Sequence, residues 1–206
     1  MPDPRRAPDH GLVAAGGDLA PGTILAAYRA GIFPWPDTDG RLFWFSPNPR
    51  AVIPLDGFHE SRSLKRARRR RGFRVTRDAD FTGVLAGCAT AHGPTWITPG
   101  MRHAYGELHR LGWAHSVEVW LGDTLAGGLY GVTVGGLFAA ESMFHRAADA
   151  SKVALAALVE HLAARGFALL DVQLRTAHLA TLGTIEIPRD AYLRRLAEAL
   201  ARAPVW

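Results

Sequence analysis

The 206-residue chain is 48% hydrophobic and 21% charged, carries 24 Lys and Arg against 19 Asp and Glu for a net charge of +5, and has one cysteine, Cys88. That size fits one large domain or a domain with a small lobe, and a lone cysteine excludes an intramolecular disulfide and points to a reducing cytoplasm. No apolar run reaches the roughly 18 residues of a membrane span, residues 1–11 lack the apolar segment of a secretory signal, and the positive charge permits an anionic partner without requiring one.

In chain order, Gly16-Gly17-Asp18 leads into a helix over about Pro21–Ala30, which Gly31 stops. Gly31-Ile32-Phe33-Pro34-Trp35-Pro36 reads as a stiff aromatic turn. Phe43-Trp44-Phe45 forms a second aromatic cluster ahead of Ser46-Pro47-Asn48-Pro49-Arg50. Aromatics and prolines at this density fit no amphipathic helix and suit the core of a small lobe. Trp35, between two prolines, is expected at a surface or cleft. Arg62, Lys65, Arg66, Arg68, Arg69, Arg70 and Arg71 then crowd into ten residues, where Ser61 or Ser63 can cap a helix with cations all round. Such a helix is either a solvated face or a phosphate-contacting patch. Like charges this dense repel one another, and an anionic ligand would relieve them.

Beyond Gly72, Phe73–Arg77 reads as a strand, Asp78 as the N-cap of a helix to about Thr90, and Thr95–Thr98 as a short extended piece. Cys88 falls in an apolar-patterned stretch and reads as a buried small residue, not a nucleophile. Pro99 starts a helix to about Leu111, with Met101, Tyr105, Leu108 and Leu111 at helical spacing. Strands follow over His115–Leu121, Thr124–Val134 and Leu137–Glu141, separated by turns at Gly122-Asp123 and Gly135-Gly136. Ser151–Arg165 is the strongest helix pattern, apolar along Val153, Leu155, Leu158, Val159 and Leu162 and ended by Gly166. Phe167–Gln173 reads as a strand and Asp190–Ala203 as a final helix. The order predicts an α+β fold: a small N-terminal lobe over 1–57, and over 58–206 a GNAT-like acyltransferase domain with a central, mostly antiparallel sheet flanked by helices.

Two segments carry the chemistry. Glu141-Ser142-Met143-Phe144 sets a carboxylate beside apolar residues at a strand end, as a ligand with both charge and apolar bulk requires. Taken alone, an ordinary surface acid fits Glu141 as well. In Leu169–Leu174, Asp171 and Gln173 share a strand face, either to hold backbone groups or to face a ligand amine or ester. The nine histidines show no metal-ligand spacing, so no metal site is expected. No nucleophile-elbow, P-loop or GxGxxG motif occurs. Arg146–Ser151 stands where an acetyl-CoA enzyme carries its Gly-rich pyrophosphate loop. An acyl-transfer fold without that loop suggests another acyl carrier.

The segments Gly16-Gly17-Asp18-Leu19, Gly31–Trp35, Trp44–Arg50, Thr95–Thr98, His115–Trp120, Gly128–Gly131, Glu141–Phe144, Ala150-Ser151-Lys152 and Asp171–Gln173 resemble, in order, the leucyl/phenylalanyl-tRNA–protein transferase family. The resemblance spans about residues 11 to 193. It implies an aminoacyltransferase that moves Leu or Phe from Leu-tRNA or Phe-tRNA to the N-terminal Lys or Arg of a protein and marks it for degradation. It implies no cofactor and no metal, and a cytoplasmic protein without membrane contact, expected to be a monomer. The donor ester is already activated, and the acceptor is an amine of pKa about 7.7–8.0. Aminolysis then needs alignment, a place for a proton and stabilisation of the carbonyl oxygen.

By this resemblance Gln173 orients the attacking amine through its amide oxygen. Asp171 polarises Gln173 and draws off positive charge, and Glu141 meets the cationic acceptor. The side-chain pocket maps to Leu129, Phe138, Met143, Leu155, Leu158, Leu162 and Leu170, with Leu170 on the strand face opposite Asp171. Tyr28, Trp35, Trp96 and Tyr105 resemble contacts to the tRNA 3′ adenosine or the acceptor peptide. Arg62, Lys65, Arg66 and Arg69 would meet the tRNA backbone by shape. Leu174–His178 departs from the family, many members of which carry Asn-Asp before that His, which affects the rim of the site. An acetyl-CoA-dependent N-acyltransferase and a non-catalytic tRNA-binding module are the competing readings.

Overall fold

A computed structural model describes residues 1–37, 39–91 and 96–206. Strand β1 (Leu12–Ala15), helix α1 (Pro21–Arg29), β2 (Phe33–Pro36) and β3 (Leu42–Phe45) come first. They form a three-stranded antiparallel sheet ordered β1-β3-β2. The aromatic segment at Phe33 is therefore a strand and not the expected turn. Its prolines are tolerated because β2 lies at the sheet edge, where a missing N–H breaks no ladder.

The remaining elements are β4 (Arg50–Ile53), α2 (Arg62–Arg70), β5 (Phe73–Arg77), α3 (Phe81–Thr90), α4 (Pro99–Arg110), β6 (Ala114–Leu121), β7 (Thr124–Val134), β8 (Leu137–His145), α5 (Ala150–Arg165), β9 (Leu169–Gln173), α6 (Ala177–Ala180), β10 (Ile185–Ile187) and α7 (Arg189–Leu200). Seven strands build one sheet in the order β10-β4-β9-β8-β7-β6-β5. It is antiparallel throughout except between β8 and β9. This is the α+β architecture expected, with helices on both faces. Strand β4, inside the expected 1–57 lobe, belongs to this larger sheet. Its Ala51, Val52 and Ile53 are buried between β10 and β9.

The alternation of strand side chains divides the core. One face packs Tyr130, Val132 and Leu137 under α1, α3, α4 and α7. The other packs Leu129, Phe138, Leu170 and Val172 under α5. Leu155, Leu158 and Leu162 are buried along α5, each worth about 1.5–3 kcal/mol of apolar burial. Gly166 at φ 80° closes that helix. Among the described residues no helix is long and apolar enough to cross a membrane.

Three local expectations change. The cap of α3 is Asp80, which accepts from the Gly83 N–H at 2.8 Å, and not Asp78. Asp78 is drawn away by the Ser116 N–H and His115, each at 2.8 Å. Helix α2 is capped by Ser61 but does not present cations all round: Leu64 and Ala67 are buried, and Arg68 is paired with Glu60 and Glu160. Finally, β8 does not end at Glu141 but runs on to His145. Thr95, expected in an extended piece with Trp96, lies outside the described residues.

Candidate active site

The parallel register of β8 and β9 stops at the pair Ala139 and Asp171. Beyond it the two strands are no longer joined by backbone hydrogen bonds, and a cavity of about 370 Å³ lies there. Its polar end holds Glu141 and Gln173, and its apolar wall includes Leu129, Met143, Leu155 and Val172. Trp35, His145 and His178 also line it.

Glu141 owes its direction to a β-bulge. Tyr130 pairs with Ser142 and Gly131 with Ala140, so Glu141 is the extra residue of β8. A bulge re-aims a side chain in this way and is a common device beside active sites. Gly131 permits it, since a Cβ there would lie 2.3 Å from the Ala139 carbonyl oxygen. Beneath Glu141, Tyr105 donates to its Oε2 at 2.9 Å, and Tyr105 shares a 2.7 Å hydrogen bond with Tyr28. Removal from water lifts the Glu141 carboxyl to about 7, against the two tyrosines, which lower it. Burial raises both tyrosine hydroxyls well above their ordinary range.

Gln173 ends β9 with φ 56°, a left-handed conformation uncommon for a residue with a side chain. Its backbone N–H is held by Asp171 Oδ1 at 3.0 Å. Its carboxamide nitrogen donates to Glu141 Oε1 at 3.2 Å, which leaves the amide oxygen for a ligand. Asp171 is fully buried. Arg50 Nε and Nη2 donate to its two oxygens at 2.9 and 2.6 Å, and the Tyr192 hydroxyl donates to Oδ2 at 2.9 Å. The expected polarisation of the Gln173 carboxamide by Asp171 is thus not the observed contact: Asp171 holds the backbone of Gln173, and Glu141 holds its side chain.

Of the apolar residues expected around the substrate, Leu129, Met143 and Leu155 line the cavity. Phe138, Leu158, Leu162 and Leu170 are fully buried in the layer behind it, and Phe138 stacks on Trp206 at 5.3 Å. Trp35 is at the cavity rim and stacks on Trp96 at 5.2 Å and 24°. Tyr28 and Tyr105 are 1% and 0% exposed, so neither ring is free to stack on a base; they serve Glu141 instead. Arg62, Lys65, Arg66 and Arg69 line a separate surface recess together with Arg70. Cys88 is buried and its thiol is pushed up to about 12 by desolvation, as an inert core residue requires. Among the described residues no group of His, Cys, Asp and Glu could hold a metal ion.

Arg50 and Tyr192 were not expected here. A signal existed for the first: Arg50 opens an otherwise apolar strand, and Asp171 sits in another. A charge inside each of two buried strands asks for a partner.

A family model described as leucyl/phenylalanyl-tRNA protein transferase matches residues 52–197, and the model of that family's N-terminal domain matches residues 17–48. The chain is 50% identical over 195 residues to a leucyl/phenylalanyl-tRNA–protein transferase of Dechloromonas aromatica, covering 93% of this chain and 83% of that one. It is 52% identical over 206 residues to the protein of the same name from an Anaeromyxobacter species, covering 98% and 88%. A GCN5-related N-acetyltransferase from Kribbella flavida is similar in fold at 12% identity and a TM-score of 0.41, covering 82% of this chain and 61% of that one, too slight a likeness to argue from.

Proposed function

The chain belongs to the leucyl/phenylalanyl-tRNA–protein transferase family and moves an aminoacyl group from tRNA to protein, and we propose that Leu or Phe passes to acceptors bearing an N-terminal Lys or Arg, marking them for degradation. In this reading it works as a monomer in the cytoplasm. The observation that carries it is one cavity with an apolar wall at Leu129, Met143 and Leu155 and a Glu141–Gln173 pair at its polar end. The transferred side chain occupies the apolar part and its ester carbonyl faces the polar end.

The chemistry follows from these groups. The acceptor's neutral α-amine donates a hydrogen bond to the Gln173 amide oxygen, which directs the nitrogen lone pair at the ester carbonyl. A C–N bond forms and the addition intermediate carries an ammonium proton. An amide is too weak a base to remove that proton. Glu141, with its carboxyl at about 7, is matched to it and lies against Gln173. Collapse breaks the C–O bond, and the departing ribose oxygen takes up the proton that Glu141 holds. Glu141 also supplies the negative charge that favours a cationic acceptor. Trp35, stacked on Trp96, offers the terminal adenosine an aromatic face worth roughly 1–3 kcal/mol, and Arg62, Lys65, Arg66 and Arg69 meet the phosphates of the donor.

The test is transfer of labelled leucine from Leu-tRNA to a peptide with N-terminal Arg, beside the same peptide with N-terminal Gly. Transfer to the first, abolished by RNase, is expected. Equal transfer to both would remove the acceptor assignment, and acetyl transfer from acetyl-CoA without tRNA would replace the donor.

A further inference from the structure

We propose that Arg50 is a positioning residue for aminoacyl transfer: its guanidinium, through Asp171, fixes the Gln173 backbone and so the direction of the carboxamide that aligns the acceptor amine. This rests on the role given to Gln173 above. Arg50 is 1% exposed. Its Nε and Nη2 make a two-pronged bond to Asp171, and Nη1 donates to the Gly31 carbonyl at 3.1 Å. The cation also sits 4.8 Å from the Phe33 ring centroid and 4.4 Å from that of Tyr192. A buried, planar cation with this many fixed partners has one place to be, which a flexible ammonium would not.

The consequence for Asp171 is chemical. Oδ1 receives Arg50 Nε and the Gln173 N–H, and Oδ2 receives Arg50 Nη2 and the Tyr192 hydroxyl. Two carboxylate oxygens offer about four lone-pair sites, and all four are in use. Asp171 is left with no site to accept a substrate proton, so its service to the reaction is to hold Gln173. Gln173 needs holding, because its φ of 56° is a strained choice for an L residue. The backbone bond from Asp171 Oδ1 fixes that strained residue and points its side chain at Glu141.

Arg50 reaches the opposite wall as well. Phe33 lies under the guanidinium and packs edge-on against Trp35 at 6.3 Å. Trp35 and Gln173 both line the cavity. One cation therefore registers the aromatic wall against the group that aligns the amine. Because Arg50 touches no substrate directly, its loss should spoil alignment more than binding.

A double-mutant cycle on the full chain tests this, with Leu-tRNA and an N-terminal-Arg peptide as substrates and thermal unfolding in parallel. R50K is expected to lower kcat by about 10–100-fold while changing either KM by less than about threefold. In a Q173A background the same change should cost less than about threefold, because the two residues act through one group. R50M/D171L exchanges the buried ion pair for apolar side chains, an exchange that buried pairs tolerate for stability. It should stay folded and transfer no faster than Q173A. Full multiplication of the R50K and Q173A losses would overturn the role of Arg50 alone. Near-wild-type kcat in R50M/D171L would do the same. Wild-type transfer by Q173A would instead remove the role of Gln173 on which the proposal rests.

Discussion

The Gln173 carboxamide donates to the Glu141 carboxylate at 3.2 Å, across the gap where β8 and β9 part. With the amide nitrogen committed to Glu141, the amide oxygen has one orientation left. Glu141→Ala removes both the proposed proton acceptor and that orientation and should lower transfer by about 10²-fold or more. Peptide turnover at saturating Leu-tRNA checks this, and unchanged turnover would return Glu141 to a packing role.

The pH profile separates the two jobs of Glu141. In the proposed mechanism the carboxylate is the working form, and burial puts its carboxyl at about 7. The kcat of the native protein should therefore rise through about pH 7 and level off above it. In Glu141→Gln this limb should vanish, leaving in kcat/KM the limb of the free acceptor amine at about 7.7–8.0. A variant that keeps the limb near 7 would assign it to another group.

The same shift has a cost in stability. Glu141 is raised in the folded protein from 4.5 to about 7, so the folded state binds the extra proton between those values. Its contribution is fully present below about pH 4.5, the unfolded value, and is lost as pH rises through about 7. Relative to the native protein, Glu141→Gln should gain stability between pH 5 and pH 8, by an amount on the order of 2–3 kcal/mol. Urea unfolding at the two pH values measures it, and a change of the opposite sign would show that the carboxylate is better solvated than its surroundings indicate.

At Gln173 backbone and side chain make opposite demands. Its φ of 56° favours Asn, which is several-fold enriched in that region. Gln173→Asn should leave stability unchanged within about 0.5 kcal/mol or improve it. The side chain is one methylene shorter, so it should fall short of Glu141 and lower kcat about tenfold or more. Wild-type turnover in this variant would show that the reach of the side chain is not used.

The cavity wall and the layer behind it should respond differently. Met143→Ala or Leu155→Ala widens the cavity itself and should shift kcat/KM from Leu-tRNA towards Phe-tRNA by about tenfold. Leu158→Ala lies behind the wall, fully buried, and should cost about 2–5 kcal/mol of stability with a smaller change in preference. Competition between the two labelled donors, beside unfolding curves, distinguishes them.

On α2 the arginines are not equivalent. Replacing Lys65, Arg66 and Arg69 with Ala should weaken Leu-tRNA binding and flatten its salt dependence, the slope falling by about 0.7–0.9 for every phosphate that is no longer neutralised. Arg68 is paired with Glu160 at 2.7 Å and Glu60 at 3.0 Å. Arg68→Ala should leave donor binding nearly unchanged and cost under about 1 kcal/mol of stability. An unchanged salt slope in the triple variant would make the helix a solvated face.

Elements whose signal is local were legible in the sequence. Apolar residues at helical spacing marked α4 and α5, and glycine turns marked the β6–β7–β8 meander, because side-chain period and turn conformation are properties of a short stretch of chain. The bulge at Glu141 was not legible. Its cause is the fit of Gly131 against the Ala139 carbonyl across the ladder, and no neighbour in sequence reports that. The same holds for Phe33–Pro36, whose prolines spell a turn locally and are accommodated only because the strand pairs on one side.

By itself the sequence determined the family and singled out Glu141, Asp171 and Gln173 as candidates, since they stand in motifs that follow the family's order along the chain. Only the tertiary structure decided which of them touch. The strand face shared by Asp171 and Gln173 suggested a side-chain pair, but the left-handed turn at Gln173 swings its amide to Glu141, 32 residues away in the chain. Asp171 meets Arg50 from 121 residues away. A buried charge must find its counter-charge wherever the fold brings one, and that pairing is set by packing across the sheet, not by spacing along the chain.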